Sequence, residues 1–96
     1  MKIYRARLLN SFLKQEKKLN AEIKERVIEA VEGILSDPYS GVDLKGNLKG
    51  YWDKRVGKYR IVYKINESEK RVIFFDVDLR KRVYNRLKRR KPSNCI

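Results

Sequence analysis

Polar and apolar residues alternate from Lys2 to Leu8, with Tyr4, Ala6 and Leu8 on one side and Ile3, Arg5 and Arg7 on the other. A period of two predicts a short strand. The period then lengthens. Asn10 or Ser11 offers an N-cap for "FLKQEKKL", a short helix whose apolar positions are Phe12, Leu13 and Leu19. Asn20 offers another, opening "AEIKERVIEAVEGILS". Here Ile23, Val27, Val31, Ile34 and Leu35 recur at helical spacing, while Glu22, Lys24, Glu25 and Glu29 take the other face. Pro38 ends this helix by disfavouring helical backbone at Asp37. Two helices joined at one Asn predict a hairpin that covers one face of a sheet.

The period of two returns after Gly46 and Gly50. "GYWDKRVGKYRIVYKI" reads as two strands joined at Gly57-Lys58, because Gly-X is a two-residue type II′ hairpin turn. A third run, "KRVIFFDVD" (Lys70 to Asp78), follows the turn "NESE", and "LRKRVYNRLKRRK" closes the fold as a short helix or extended segment. The expectation is an α+β fold of order β-α-α-β-β-β, with the two-helix hairpin packed on one face of an antiparallel sheet and a short C-terminal helix or tail. A single domain is expected over residues 1–91, with a frayed C-terminus at 92–96.

The hairpin register pairs Val56 with Tyr59, Arg55 with Arg60, Lys54 with Ile61, Asp53 with Val62 and Trp52 with Tyr63. Side chains alternate across a sheet. Trp52, Val56, Tyr59, Ile61, Tyr63 and Ile65 therefore form a core face, with Lys54 as an intruder. Tyr51, Asp53, Arg55, Arg60, Val62 and Lys64 form an opposite, open face. Two arginines placed opposite each other repel. Asp53, diagonal to Arg60, offers partial neutralisation, and a phosphate offers more, since guanidinium forks bind its oxygens bidentately. Continuing the register into the third strand puts Phe75 beside Arg60, Phe74 on the core face beside Ile61, and Asp76 inward. Phe75 either stacks on a base or packs under the C-terminal segment, and the second reading carries more weight.

Charge sharpens this picture. The 96 residues carry a formal net charge of +13. Residues 1–44 hold eight basic and seven acidic residues, while residues 45–96 hold 17 and 5. Nearly all the excess sits in the second half, the electrostatic footprint of a polyanion binder. No apolar run reaches membrane-span length, no signal peptide is visible, and one cysteine cannot form an internal disulfide. A cytoplasmic protein without a membrane partner is expected.

With no histidine and one cysteine, the chain lacks the usual ligands of a metal site and the parts of a Ser-His-Asp or Cys-His site. It has no phosphate-binding glycine loop either. No cofactor or metal is expected. Arg, Lys and Tyr remain, and they suit cleavage of RNA by its own 2′-hydroxyl, where cations stabilise the extra charge on the phosphorane. On residues alone, the chain reads as an RNA binder, with a nuclease as the further reading.

"LKGNLKGYWDKRVGKYRIVYKI" (Leu44 to Ile65) and "VIFFDVDLRKRVY" (Val72 to Tyr84) resemble the RelE-type toxins of the RelE/ParE toxin–antitoxin superfamily. The resemblance implies a cytoplasmic toxin that enters the ribosomal A site, cleaves mRNA without a metal, and is neutralised by a cognate RelB-like antitoxin. It implies Arg55, Arg60, Arg80 and Tyr84 as active-site residues. Arg55 would contact the phosphate or move a proton, and Arg60 would stabilise the transition state. Arg80 would assist, and Tyr84 would orient or stack on the base. Lys58, Lys64, Lys81 and Arg82 are expected to bind RNA. The sequence departs from the family pattern in two places. Asp78-Leu79 stands where many relatives have Gly-His, and Asp53 stands where some carry a catalytic lysine, which leaves its role open. Two other readings are a ParE-like protein acting on DNA gyrase and a non-catalytic basic RNA-binding module.

Overall fold

The computed structural model describes residues 3–89. The terminus expected to fray at 92–96 lies outside the described residues. In chain order the elements are β1 (Arg5–Leu8), α1 (Asn10–Glu16), α2 (Ala21–Ser36), β2 (Val42–Asp43), β3 (Trp52–Val56), β4 (Tyr59–Asn66), β5 (Arg71–Leu79) and α3 (Arg80–Arg89). The α+β class and the order strand, two helices, strands, terminal helix are as expected. The addition is β2, two residues long and too short to show any alternation. The strands form one sheet in the order β1-β5-β4-β3-β2. β1 runs parallel to β5, and every other neighbouring pair is antiparallel. Parallel neighbours need a long crossover, which α1 and α2 supply.

Asn20 caps α2 as its position predicts, its Oδ1 accepting from the Ile23 N–H at 2.9 Å. α1 differs from expectation. Leu9 occupies its cap position without a side-chain bond, and Asn10 is already helical. Ser11 instead donates its hydroxyl to the Phe75 carbonyl at 2.6 Å. Phe12 is buried against Phe74, with ring centroids 5.7 Å apart. Seven residues are too few for an autonomous helix, so docking on β5 holds α1 in place. Val27, Ile34 and Leu35 of α2 join Phe12 over Ile61, Tyr63, Val72, Phe74 and Val77 to form the main core.

The β3–β4 hairpin has the five expected pairs, and Gly57 alone at its tip has a positive φ, 61°. A type II′ turn demands that at its first central position. Lys54, the intruder on the core face, sends its amine to Ser40 Oγ at 3.2 Å.

The third strand corrects the sequence-based register. Tyr63 faces Phe74 but Val62 faces Asp76, so Phe75 is an extra residue on β5. Such a bulge shifts every later side chain to the opposite face. Phe74 stays in the main core. Asp76 turns away from it instead of inward, and Asp78, not Phe75, lies opposite Arg60. If Phe75 were paired in regular alternation instead, Asp76 and Asp78 would share the face of Phe74 and enter the apolar layer under α1 and α2.

The face expected to be open is also covered. Val83 and Leu87 of α3 pack on Tyr51 and Val62, with Leu44, Leu48, Phe75 and Tyr84 around them. Phe75 meets Tyr51 edge-on at 5.2 Å, as the packing reading of that residue requires. Arg86 clamps α3 to the sheet, its Nε 2.7 Å from Asp76 Oδ2 and its Nη2 2.8 Å from Asp78 Oδ2. The hydrogen bond to Asp76, followed by that to Asp78, holds the Arg86 pKa above its ordinary value against the opposing effect of burial.

Candidate functional site

Asp53 lies at the centre of the face under α3. Its side chain is 0% exposed, against 20% for Arg60. One oxygen, Oδ2, accepts from Arg60 Nη1 at 3.1 Å and from the Tyr84 hydroxyl. Among the described residues no donor reaches the other oxygen, Oδ1. The Arg80 guanidinium sits 5.2 Å from the Tyr84 ring centroid. Burial first, and then Asp53, raise the Tyr84 pKa, with Arg60 and Arg80 acting in the opposite direction. Tyr84 therefore keeps its proton at neutral pH and acts as a hydrogen-bond donor and an aromatic plate.

Of the four residues implied by resemblance, Arg60 and Tyr84 meet at Asp53, and Arg80 lies against the Tyr84 ring. Arg55 faces Arg60 in the hairpin register, and it is exposed. The repulsion between the two arginines is eased because Arg60 is turned toward Asp53. Lys58 is exposed at the hairpin tip, and Lys81 and Arg82 are exposed on α3. Arg82 borders a polar cavity of about 200 Å³, shared with Lys18, Tyr59, Asp78 and Arg86. Lys64 is committed elsewhere, its Nζ 4.6 Å from the Tyr51 ring centroid and 5.8 Å from that of Phe75.

Sequence pattern does not single out Arg26. Its guanidinium on α2 lies within 4 Å of where a side chain at Gly57 would begin. It adds a cation to the hairpin tip beside Lys58, a neighbourhood created only when α2 packs on the sheet. The Arg86 clamp was equally hidden, since it depends on the bulge at Phe75.

The site as a whole is a basic cluster on a mixed sheet, closed by a terminal helix. Residues 6–84 match the family described as ParE toxin of type II toxin-antitoxin system, parDE. A toxin YoeB of Streptomyces coelicolor is 34% identical over 53 residues, 50% of this chain and 63% of that protein's length. A toxin YoeB of Synechocystis is 33% identical over 67 residues, 65% of this chain and 73% of the relative. Among solved structures, the toxin–antitoxin complex RelBE2 from Mycobacterium tuberculosis contains a chain that superposes with a TM-score of 0.77 at 29% identity, covering 83% of this chain and 94% of that one. The chain belongs to the ParE toxin family of type II toxin–antitoxin systems, within the RelE/ParE superfamily, and is a toxin of the RelE type.

Proposed function

We propose that this toxin is a ribosome-dependent endoribonuclease that cleaves mRNA in the A site and so inhibits translation, and that a cognate RelB-like antitoxin neutralises it. The observation that carries this reading is the meeting of Arg60, Arg80 and Tyr84 at one partly exposed spot, with Arg55 facing Arg60 across the hairpin. The similarity to two YoeB toxins and to a chain of a RelBE2 complex supports it.

The reaction is a transesterification within the RNA. The 2′-oxygen gives up its proton to solvent and attacks the neighbouring phosphorus, the P–O5′ bond breaks, and the 5′-oxygen takes a proton from solvent. A cyclic 2′,3′-phosphate and a free 5′-hydroxyl result. Arg60 and Arg80 stabilise the charge that builds on the phosphorane. Arg55 contacts the phosphate or moves a proton, and Tyr84 stacks on the base. Lys58, Lys81 and Arg82 hold the backbone electrostatically. Lys64 contributes charge at a distance, since its amine is engaged with two rings.

Arg55 and Arg80 are exposed, so replacing either with Ala removes a cation without uncovering a buried group. Each variant is expected to cleave translated mRNA roughly 10²-fold more slowly, with an unchanged circular dichroism spectrum. Cuts at the wild-type rate and positions in both variants would remove these residues from the site.

The family description that matches is that of ParE, which favours a second reading as a protein acting on DNA gyrase. Purified toxin added to a gyrase supercoiling assay separates the two. Inhibition there, without cuts within codons on translating ribosomes, supports the gyrase reading.

A further inference from the structure

A buried carboxylate is costly unless it is paired and hydrogen-bonded. Asp53 meets that requirement only on one oxygen, and that oxygen serves two side chains from different elements, Arg60 of β4 and Tyr84 of α3. Packing gives no reason for an acid here. Tyr51, Val62 and Val83 line the same face, and apolar replacement of buried ion pairs is often neutral or stabilising. Nor is Asp53 placed to act as a base. A base must come within hydrogen-bond reach of the proton it takes, and this side chain is shut away from solvent.

What Asp53 does is fix two neighbours. An arginine has five N–H donors in one rigid plane. Asp53 engages a single nitrogen, Nη1, and so sets that plane while leaving the other donors unspent on it. It also draws the Tyr84 hydroxyl inward, which holds the ring as a partly exposed plate against Arg80.

We propose that Asp53 is the positioning residue of this site, locking the Arg60 fork and the Tyr84 ring into one arrangement that takes the phosphate and the base of a single nucleotide. The proposal rests on the nuclease reading above for its substrate class. It gives the departure from the family's lysine a consequence. In this chain the site trades one cation at the phosphate for order in two of its other groups.

The test uses the full-length toxin and Asp53→Asn, which keeps the shape and loses the charge. On programmed ribosomes kcat should fall roughly 10- to 100-fold, the scale of a small misplacement of reacting groups. KM should stay level or fall, since the site gains net positive charge. In a Tyr84→Phe background the same substitution should cost less, because the two residues act through one contact. A merely structural Asp53 would instead lower the thermal midpoint while the folded fraction kept its wild-type kcat, and that result overturns the proposal.

A second readout is independent of cleavage. The Arg60 Nε–H signal and the Tyr84 titration are followed by NMR, with a trinucleotide whose 2′-hydroxyl is replaced by hydrogen as the probe. The wild type should show one sharp Arg60 signal that shifts on binding. Asp53→Asn should show a broadened signal and a lowered Tyr84 pKa. If the wild type fails to cut ribosome-bound mRNA, the nuclease reading falls and these signals alone judge Asp53. Identical signals in both proteins overturn the positioning role whatever the cleavage result.

Discussion

Arg60 is both a cation for a phosphate and the counter-ion of a buried carboxylate. Removing it therefore does more than empty a site. Arg60→Ala leaves the buried Asp53 without its cation and held only by the Tyr84 hydroxyl, at a cost of about 3–5 kcal/mol. Urea denaturation should show that loss, and adding Asp53→Asn should recover much of it. Lost toxicity in Arg60→Ala alone would confuse folding with chemistry. Glu67 gives the clearest pH effect. Hydrogen bonds from Lys70, then Tyr39 and Tyr4, lower its pKa from 4.5 to about 2. Its folded pKa lies below the unfolded one, so its contribution is present above about pH 4.5 and is lost as pH falls toward 2. A plot of thermal midpoint against pH should therefore drop less steeply in that window for Glu67→Gln than for the wild type. At this scale the pairing of Arg55 with Arg60 was legible, because a two-residue glycine turn fixes the register. The burial of Asp53 was not, because it depends on where a distant helix lands.

Among the elements, α3 closes the site. Val83 and Leu87 are the buried residues it supplies, and Arg86 holds it to Asp76 and Asp78. Leu87→Ala should cost about 2–5 kcal/mol and speed hydrogen exchange in α3 more than in β4. Cleavage should fall with it, since Tyr84 and Arg80 ride on the same helix. The sequence left this segment between helix and extended chain for a physical reason. Val83 and Leu87 stand at helical spacing, but two apolar positions in so short and basic a run are too few to fix a period. The β5 bulge was hidden in a similar way. A period of two holds on each side of Phe75, and only the partner strand reveals the break. Longer elements were easier to read. α2 declares itself through five apolar positions, an Asn cap and a terminating proline.

For the molecule as a whole, the charge asymmetry along the chain becomes a spatial one. Both sheet faces are covered, so the cations of the second half gather around α3 and the β3–β4 hairpin. Arg26 and Lys18 join them from the first half. Binding to RNA should weaken steeply with salt. Each cation that neutralises a phosphate of a single strand contributes about 0.7 to the slope of log K against log salt. Lys81→Gln and Arg82→Gln should each flatten that slope by about that amount, measured by filter binding across a salt series. The basic footprint and the α+β order were both legible from sequence. The parallel placement of β1 beside β5 was not, because strand neighbours far apart in sequence leave no local pattern.

The extra residue at Phe75 has a genetic consequence. It makes β5 tolerant of one change of length and intolerant of the opposite one. Losing Phe75 would leave Phe74 opposite Tyr63 and Asp76 opposite Val62, so Asp76, Val77 and Asp78 would keep their faces and the Arg86 clamp would survive. Gaining one regularly paired residue between Phe75 and Asp76 would exchange those three faces together, breaking the clamp and loading acids into the main core. Viable length variants of this strand should therefore include the loss of Phe75 and exclude that single insertion.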